Sequence, residues 1–477
     1  MRSVCSAALV FAVLSVATGS PARAANVFAA HEALLAKYAG QLEELATWCR
    51  QQQLLQAAEE LAAWLPKRQP DQLTLFVVGS TLSAPTNSDA AAEWRTRWKA
   101  LRDAQADALF ALAKQAVEEH QPSLALQLVT EAVRENPDHE AGRRLLGYVK
   151  FQDGWFTPFE IKQLGADKVW HEQFGWLPKD HVERYARGER FYQGRWLSAD
   201  QEASVRGDVK RGWRIESTHY VVTTNHSLEE GLRLSQQLET LYSIWQQVFA
   251  AYATDEAELK RRLAGNSPRG ARKQFQVQYF RNKEEYGNRL RSLQPQIDVT
   301  LGLYLNAQRT AYFFAGQEQD PGTIFHEATH QLFQESRQVV ADVGGRSNFW
   351  IVEGVACYME SLAAHDGYFT LGGANAGRMP AARHRLQVDG FYIPLAELMQ
   401  LGMLDLQRDE RLPRIYSQSA GLADFLMHDD AGRYREPLVA YLVAIYTGKA
   451  DAGTLAKLTG SDYPTLDRQY TEFMNQE

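Results

Sequence analysis

The sequence predicts an α+β chain that is mostly helical, with an N-terminal helical-repeat region, a domain built on a small mixed sheet and a helical C-terminal subdomain. Three observations predict it. From Val27 to Lys150, apolar residues recur at helical spacing in a background of Ala, Leu, Glu and Gln. Between Phe151 and Gln201 the composition shifts to Gly and Trp. From Gly212 onward, β-branched and aromatic runs alternate with amphipathic segments. The expected units are therefore a leader at 1–24, a helical domain at 25–150, a connector at 151–211 and a domain at 212–477. A chain of 477 residues has room for two or three domains of roughly 100–200 residues each, and a 45% hydrophobic content supplies their cores.

Met1 and Arg2 precede the apolar run Ala7 to Thr18, and Ala22-Arg23-Ala24 offers the small residues at which a leader is cut. Residues 1–24 are thus expected to be a removed signal peptide, which makes the protein exported, periplasmic or extracellular. A membrane-spanning helix needs about 20 apolar residues, against about a dozen in this run, and no later stretch is long enough. Cys49 and Cys357 are far apart, so core burial rather than a disulfide framework must hold the fold. The net charge of −7, without a long basic run, speaks against a nucleic-acid-binding surface.

In the first region Leu54, Leu55, Ala58, Leu61, Ala62 and Leu65 mark one apolar helix face. The segments Ala57 to Asp71 and Ala125 to Asp138 both end in a Pro-Asp pair, and the pairs lie 67 residues apart. This is close to two periods of a roughly 34-residue helix-turn-helix repeat, and it resembles degenerate tetratricopeptide repeats. A plain helical bundle satisfies the pattern as well. Either would offer a surface for a protein partner.

The connector repeats a short theme three times: Gly154-Trp155-Phe156-Thr157, Gly175-Trp176-Leu177-Pro178 and Gly194-Arg195-Trp196-Leu197-Ser198. Each reads as a turn with a buried Trp, followed by a Thr, Pro or Ser that starts a helix. Packing is the commoner role of such tryptophans; lining a groove for a sugar or a peptide is the other.

Beyond Gly212, strands are expected at Tyr220–Thr224 and Phe275–Phe280, and a hairpin at Leu303–Leu305 and Thr310–Phe314 around Asn306 to Arg309. Helices are expected at Leu228–Tyr252 and Glu284–Leu293, and the last third reads as largely helical.

Thr323 to Leu332 contains His326-Glu327-Ala328-Thr329-His330. On a helix, residues four apart lie one above the other, so both imidazoles can share one metal ion while Glu327 stands beside it. There a carboxylate can take a proton from water and pass it to a leaving amine. His-Glu also occurs at His31, His139 and His171, none with a second His four residues later. A catalytic zinc takes three protein ligands and keeps a position open. Glu353, 23 residues after His330, can supply the third ligand from a second helix once the chain turns through Gly344-Gly345.

The block Trp350-Ile351-Val352-Glu353-Gly354-Val355-Ala356-Cys357-Tyr358-Met359-Glu360 resembles the glutamate helix of aminopeptidase-type gluzincins. Residues 213–474, a little over half of the chain, resemble the peptidase-MA-like family of exported bacterial proteins. The resemblance implies a zincin-like domain holding one Zn2+ per chain on His326, His330 and Glu353. It makes Glu327 the catalytic base, Glu360 the carboxylate that orients a zinc-bound histidine, and Tyr416, in Ile415-Tyr416-Ser417-Gln418-Ser419, the stabiliser of the oxyanion.

The Gly-x-Met-Glu-Asn strand that holds a free amino terminus in aminopeptidases is absent from 296–325, so endopeptidase action on a peptide or an unfolded protein, or action on a peptide held by the helical N-terminal region, is expected. Thr310 to Phe314 is the expected edge strand for that substrate. Cys357 is expected to be buried as a small hydrophobe, and His365, His384 and His428 to have packing or surface roles. The alternative reading is a helical-repeat interaction protein carrying a catalytically silent zinc-binding domain. A different metal, or an ester or amide substrate, is a third reading.

Overall fold

A computed structural model describes residues 21–83, 93–266, 273–317 and 319–476. Residues 1–20 of the proposed leader lie outside the described residues, while Ala22-Arg23-Ala24 fall in the first turn of helix Pro21–Gln51.

The chain is mostly helical, with small antiparallel and mixed sheets. In the first region, helices Pro21–Gln51 and Leu55–Ala63 form one pair, and Glu93–Glu118 and Pro122–Glu135 another. Ala106, Ala113, Ala116 and Ala132 are fully buried between these helices, because a side chain this small lets backbones approach closely. The region is not self-contained. Strand Gln72–Leu75 pairs antiparallel with Phe369–Gly372 from far down the chain, with Leu73 opposite Leu371.

Each Gly-Trp theme is the second strand of a β-hairpin: Val149–Phe151 with Gly154–Phe156, Lys168–His171 with Gly175–Pro178, and Glu189–Tyr192 with Arg195–Ser198. A short helix follows every hairpin. Thr157 and Ser198 start two of them through capping boxes with Glu160 and Gln201, which satisfy backbone N–H groups that have no partner within the helix. The expectation of three buried tryptophans is corrected. Trp155 is buried, whereas Trp176 and Trp196 are half-buried. In the second hairpin Leu177 turns inward to pack on Phe174 and Tyr185, and strand alternation then sends Trp176 to the other face.

The main sheet has five strands in the order Leu303–Leu305, Thr310–Phe314, Phe275–Phe280, Tyr220–Thr224 and Trp213–Glu216. The central pairs are parallel and the outer two antiparallel. Thr310–Phe314 is therefore not an edge strand, contrary to expectation. It is buried along Ala311 to Phe314 and bonded on both sides, as its unbroken apolar run suits. The edge is the three-residue strand Leu303–Leu305. The long helix spans Leu228–Val248 and breaks at Phe249 before a last turn at Ala250–Ala253, earlier than the expected end at Tyr252.

Trp245, Phe249, Tyr252 and Phe333 interlock edge to face at the centre of the large core, with Trp245 and Phe333 centroids 5.3 Å apart. Helix Pro321–Glu335 lies against the Leu303–Leu305 and Thr310–Phe314 strands and beside helix Phe349–Met359, which packs on helix Leu412–Gly432. Among the described residues, no helix is long and apolar enough to cross a membrane.

Candidate metal centre

Asp320 caps the helix that carries His326 and His330, accepting from the Thr323 backbone N–H at 3.0 Å, and Pro321 occupies its first position. The cap sets the helical phase so that both imidazoles leave one face. Their Nε2 atoms stand 3.2 Å apart. Glu353 reaches the same point from the second helix, with Oε2 at 3.4 Å from His326 Nε2 and 3.6 Å from His330 Nε2. Gly354 lets the Glu353 helix pack closely on helix Leu412–Gly432, which carries Tyr416: a Cβ at Gly354 would stand 2.8 Å from the Ser419 carbonyl oxygen.

Burial by itself would raise the Glu353 pKa, but the two imidazoles outweigh it and hold the carboxyl far below its ordinary range. His326 Nδ1 lies 2.8 Å from Glu360 Oε1. A carboxylate only accepts, so Nδ1 carries a proton, and Nε2 is the nitrogen turned toward His330 and Glu353, where a metal would take the place of its proton. Arg378 grips Glu360 with two hydrogen bonds, Nε to Oε2 and Nη2 to Oε1, both 2.8 Å. Sequence spacing offered no sign of Arg378, which reaches Glu360 from the turn before helix Met379–Gln387. In the Glu360→Gln variant, metal affinity is expected to fall by roughly 10–100-fold, read by competition with a chelating indicator; unchanged affinity would show that Glu360 does not orient His326.

Glu327 is held apart from the metal donors. Its Oε2 accepts from the Tyr304 backbone N–H at 2.8 Å, on the edge strand. Gly302 is buried against it, since a Cβ there would meet Glu327 Cγ at 3.1 Å. Tyr416, near the start of helix Leu412–Gly432, lies beside Glu353; burial first, and then the Glu353 charge, push its phenol well above its ordinary pKa. It is therefore a proton donor at neutral pH.

Two groups among the described residues could hold a metal ion, His326 with His330 and Glu353, and His326 with Cys357 and Glu360. The first fits better. In the second, His326 and Glu360 are already at hydrogen-bond distance, and burial raises the Cys357 thiol, which keeps it from becoming the thiolate that a metal needs. Two imidazole nitrogens and a carboxylate oxygen form a donor set that suits zinc.

The remaining histidines stand elsewhere. His365 bonds Thr370 Oγ1 at 2.9 Å, His384 pairs with Asp389 at 3.5 Å, and buried His428 contacts the Tyr358 hydroxyl at 2.9 Å. Compared with models of known protein families and with curated proteins, the chain matches none.

Proposed function

We propose that this chain is an exported zinc-dependent endopeptidase acting on peptides or unfolded protein. The observation that carries the reading is the convergence of His326, His330 and Glu353 beside a carboxylate, Glu327, that is held off the donor set by a backbone N–H of the edge strand. A site serving structure alone has no use for that carboxylate and would close with a fourth protein ligand.

When bound, zinc supplies Lewis acidity toward a carbonyl oxygen and makes water acidic enough to attack at neutral pH. The chain's own residues do the rest. The Tyr304 N–H fixes one oxygen of Glu327, and the other is left to take the proton of the attacking water and hand it to the leaving amine nitrogen. Tyr416, kept protonated by burial beside Glu353, donates its phenol hydrogen toward the oxygen on which negative charge develops. Glu360 and Arg378 hold the His326 ring in place. The free side of Leu303–Leu305 offers backbone groups to an extended substrate, which recognises a peptide main chain rather than particular side chains. The leader-like residues 1–24 support export.

The test is hydrolysis of reduced, alkylated casein by zinc-loaded wild type and Glu327→Gln, with zinc assayed in both. Both proteins should hold one zinc, and the variant should lose activity by roughly 10²–10⁴-fold. If both hold zinc and neither cleaves, the helical-repeat interaction reading replaces this one.

A further inference from the structure

A second concave site lies away from the metal centre. A cavity of about 360 Å³ opens where the first region, the hairpin connector and the long helix Leu228–Val248 meet. Its volume is that of a small-ligand site. One wall is aromatic. Trp170 and Trp176 face each other across the second hairpin, ring centroids 5.7 Å apart, and both are half-buried. Tyr148 and Phe159 extend this wall.

The long helix adds polar side chains to the lining, beside the apolar Leu232, Ile215 and Leu126. Ser235, Gln236, Glu239, Thr240 and Ser243 recur at helical spacing along the helix, and Thr130, Thr157 and Thr218 add hydroxyls from neighbouring segments. The same helix buries its apolar stripe, Leu234, Leu238, Leu241 and Trp245, in the core, which leaves this polar side to the cavity and to solvent.

The charges limit what that is. No Lys or Arg is among the described lining residues, which disfavours phosphate and carboxylate ligands. Three carboxylates are present, but each already has its partners. Glu239 takes the His219 ring and the His219 backbone N–H, both at 2.6 Å. Glu160 takes Ser80 Oγ at 2.8 Å and the Thr157 backbone N–H at 2.7 Å. Glu216 pairs with Arg214 at 2.9 Å. All three carboxylates are thus already engaged, and a cationic ligand would have to displace hydrogen bonds made by Ser80, Thr157 or His219.

What remains is a neutral ligand with apolar C–H faces for the indoles and many hydroxyls for the helix face. We propose that this cavity binds a neutral saccharide, a mono- or disaccharide unit of a larger glycan. A sugar ring presents both surfaces at once: its axial C–H groups pack on aromatic rings, and its hydroxyls both donate and accept toward Ser, Thr and Gln. The site is independent of the metal centre, so zinc-free protein serves equally in the test, and its outcome stands apart from that of the peptidase assay.

The experiment titrates the full chain with N,N′-diacetylchitobiose, cellobiose and maltose, followed by intrinsic tryptophan fluorescence and ligand-observed NMR. A capped neutral tetrapeptide runs in parallel. At least one disaccharide should bind saturably, roughly tenfold more weakly to Trp176→Ala and about threefold to tenfold more weakly to Gln236→Ala. Gln236 is exposed, so its variant keeps the test valid where the Trp176 variant fails to fold. Three results overturn the proposal: no disaccharide binding, binding that both folded variants retain, or binding of the peptide in place of the sugars.

Discussion

In Glu353→Ala, zinc affinity is expected to fall by about three orders of magnitude, because roughly 10–16 kcal/mol of binding free energy shared over a small donor set amounts to several kcal/mol for each ligand. Glu353 is the donor that brings negative charge to the two imidazoles, and it is 9% exposed, so water replaces it poorly. The loss should appear in two readouts. A chelating indicator would compete zinc away from the variant at concentrations that leave wild type loaded. Saturating zinc would raise the wild-type melting temperature, since a ligand at about 100 times its dissociation constant adds about 2.7 kcal/mol, and would leave that of the variant unchanged. Glu327→Gln should match wild type in both, because Glu327 bonds the Tyr304 N–H and not the metal donors. If Glu353→Ala binds zinc as tightly as wild type, the metal sits elsewhere, and the group of His326, Cys357 and Glu360 becomes the candidate.

Asp424→Asn is expected to stabilise the protein at pH 8 relative to pH 5, the wild type being the reference at each pH. Asp424 is buried in helix Leu412–Gly432, and neither carboxylate oxygen has a hydrogen-bond partner; His428 Nε2 is 3.8 Å away. Burial, followed by the Asp71 charge, pushes its pKa up to about 8, against the pull of the Gly373 N–H and of Arg383. A carboxyl with a folded pKa above its unfolded value of about 3.9 contributes stability fully below that value and loses it as pH rises toward about 8. Between pH 5 and pH 8 the wild type should thus lose on the order of 3–4 kcal/mol that the uncharged amide does not lose. Burial also depresses His428, to about 3, which acts between its ordinary pKa and that value in both proteins and cancels in the difference. Urea unfolding of both proteins at the two pH values reads the effect. Parallel pH dependences would mean that Asp424 stays ionised in the fold.

Much of the site was legible because its signals are local. A helical repeat of 3.6 residues brings positions 326 and 330 to one face whatever surrounds them, and a Glu followed by Gly on a second apolar helix marks both a donor and a close helix crossing. Glu360 was legible for the same reason, seven residues beyond Glu353. The edge strand was not. Leu303–Leu305 and Thr310–Phe314 both read as strands, and only the pairing of the second with Phe275–Phe280 decides which of them keeps a free side.

Arg378 and the Tyr304 N–H were invisible for a related reason. Each acts on the site from a segment whose distance along the chain carries no information about contact. The saccharide-sized cavity is the extreme case, because three separate regions build it and only Thr157 and Trp176 of its lining belong to the repeated Gly-Trp theme. The chain's local pattern settled which residues are helical, which face carries the histidines and where glycine had to stand, since those depend on backbone geometry a few residues long. Strand order, the partner of each carboxylate and the joining of the first region to the last were settled by burial across hundreds of residues, where apolar surfaces choose their neighbours by fit and area and leave no spacing to read.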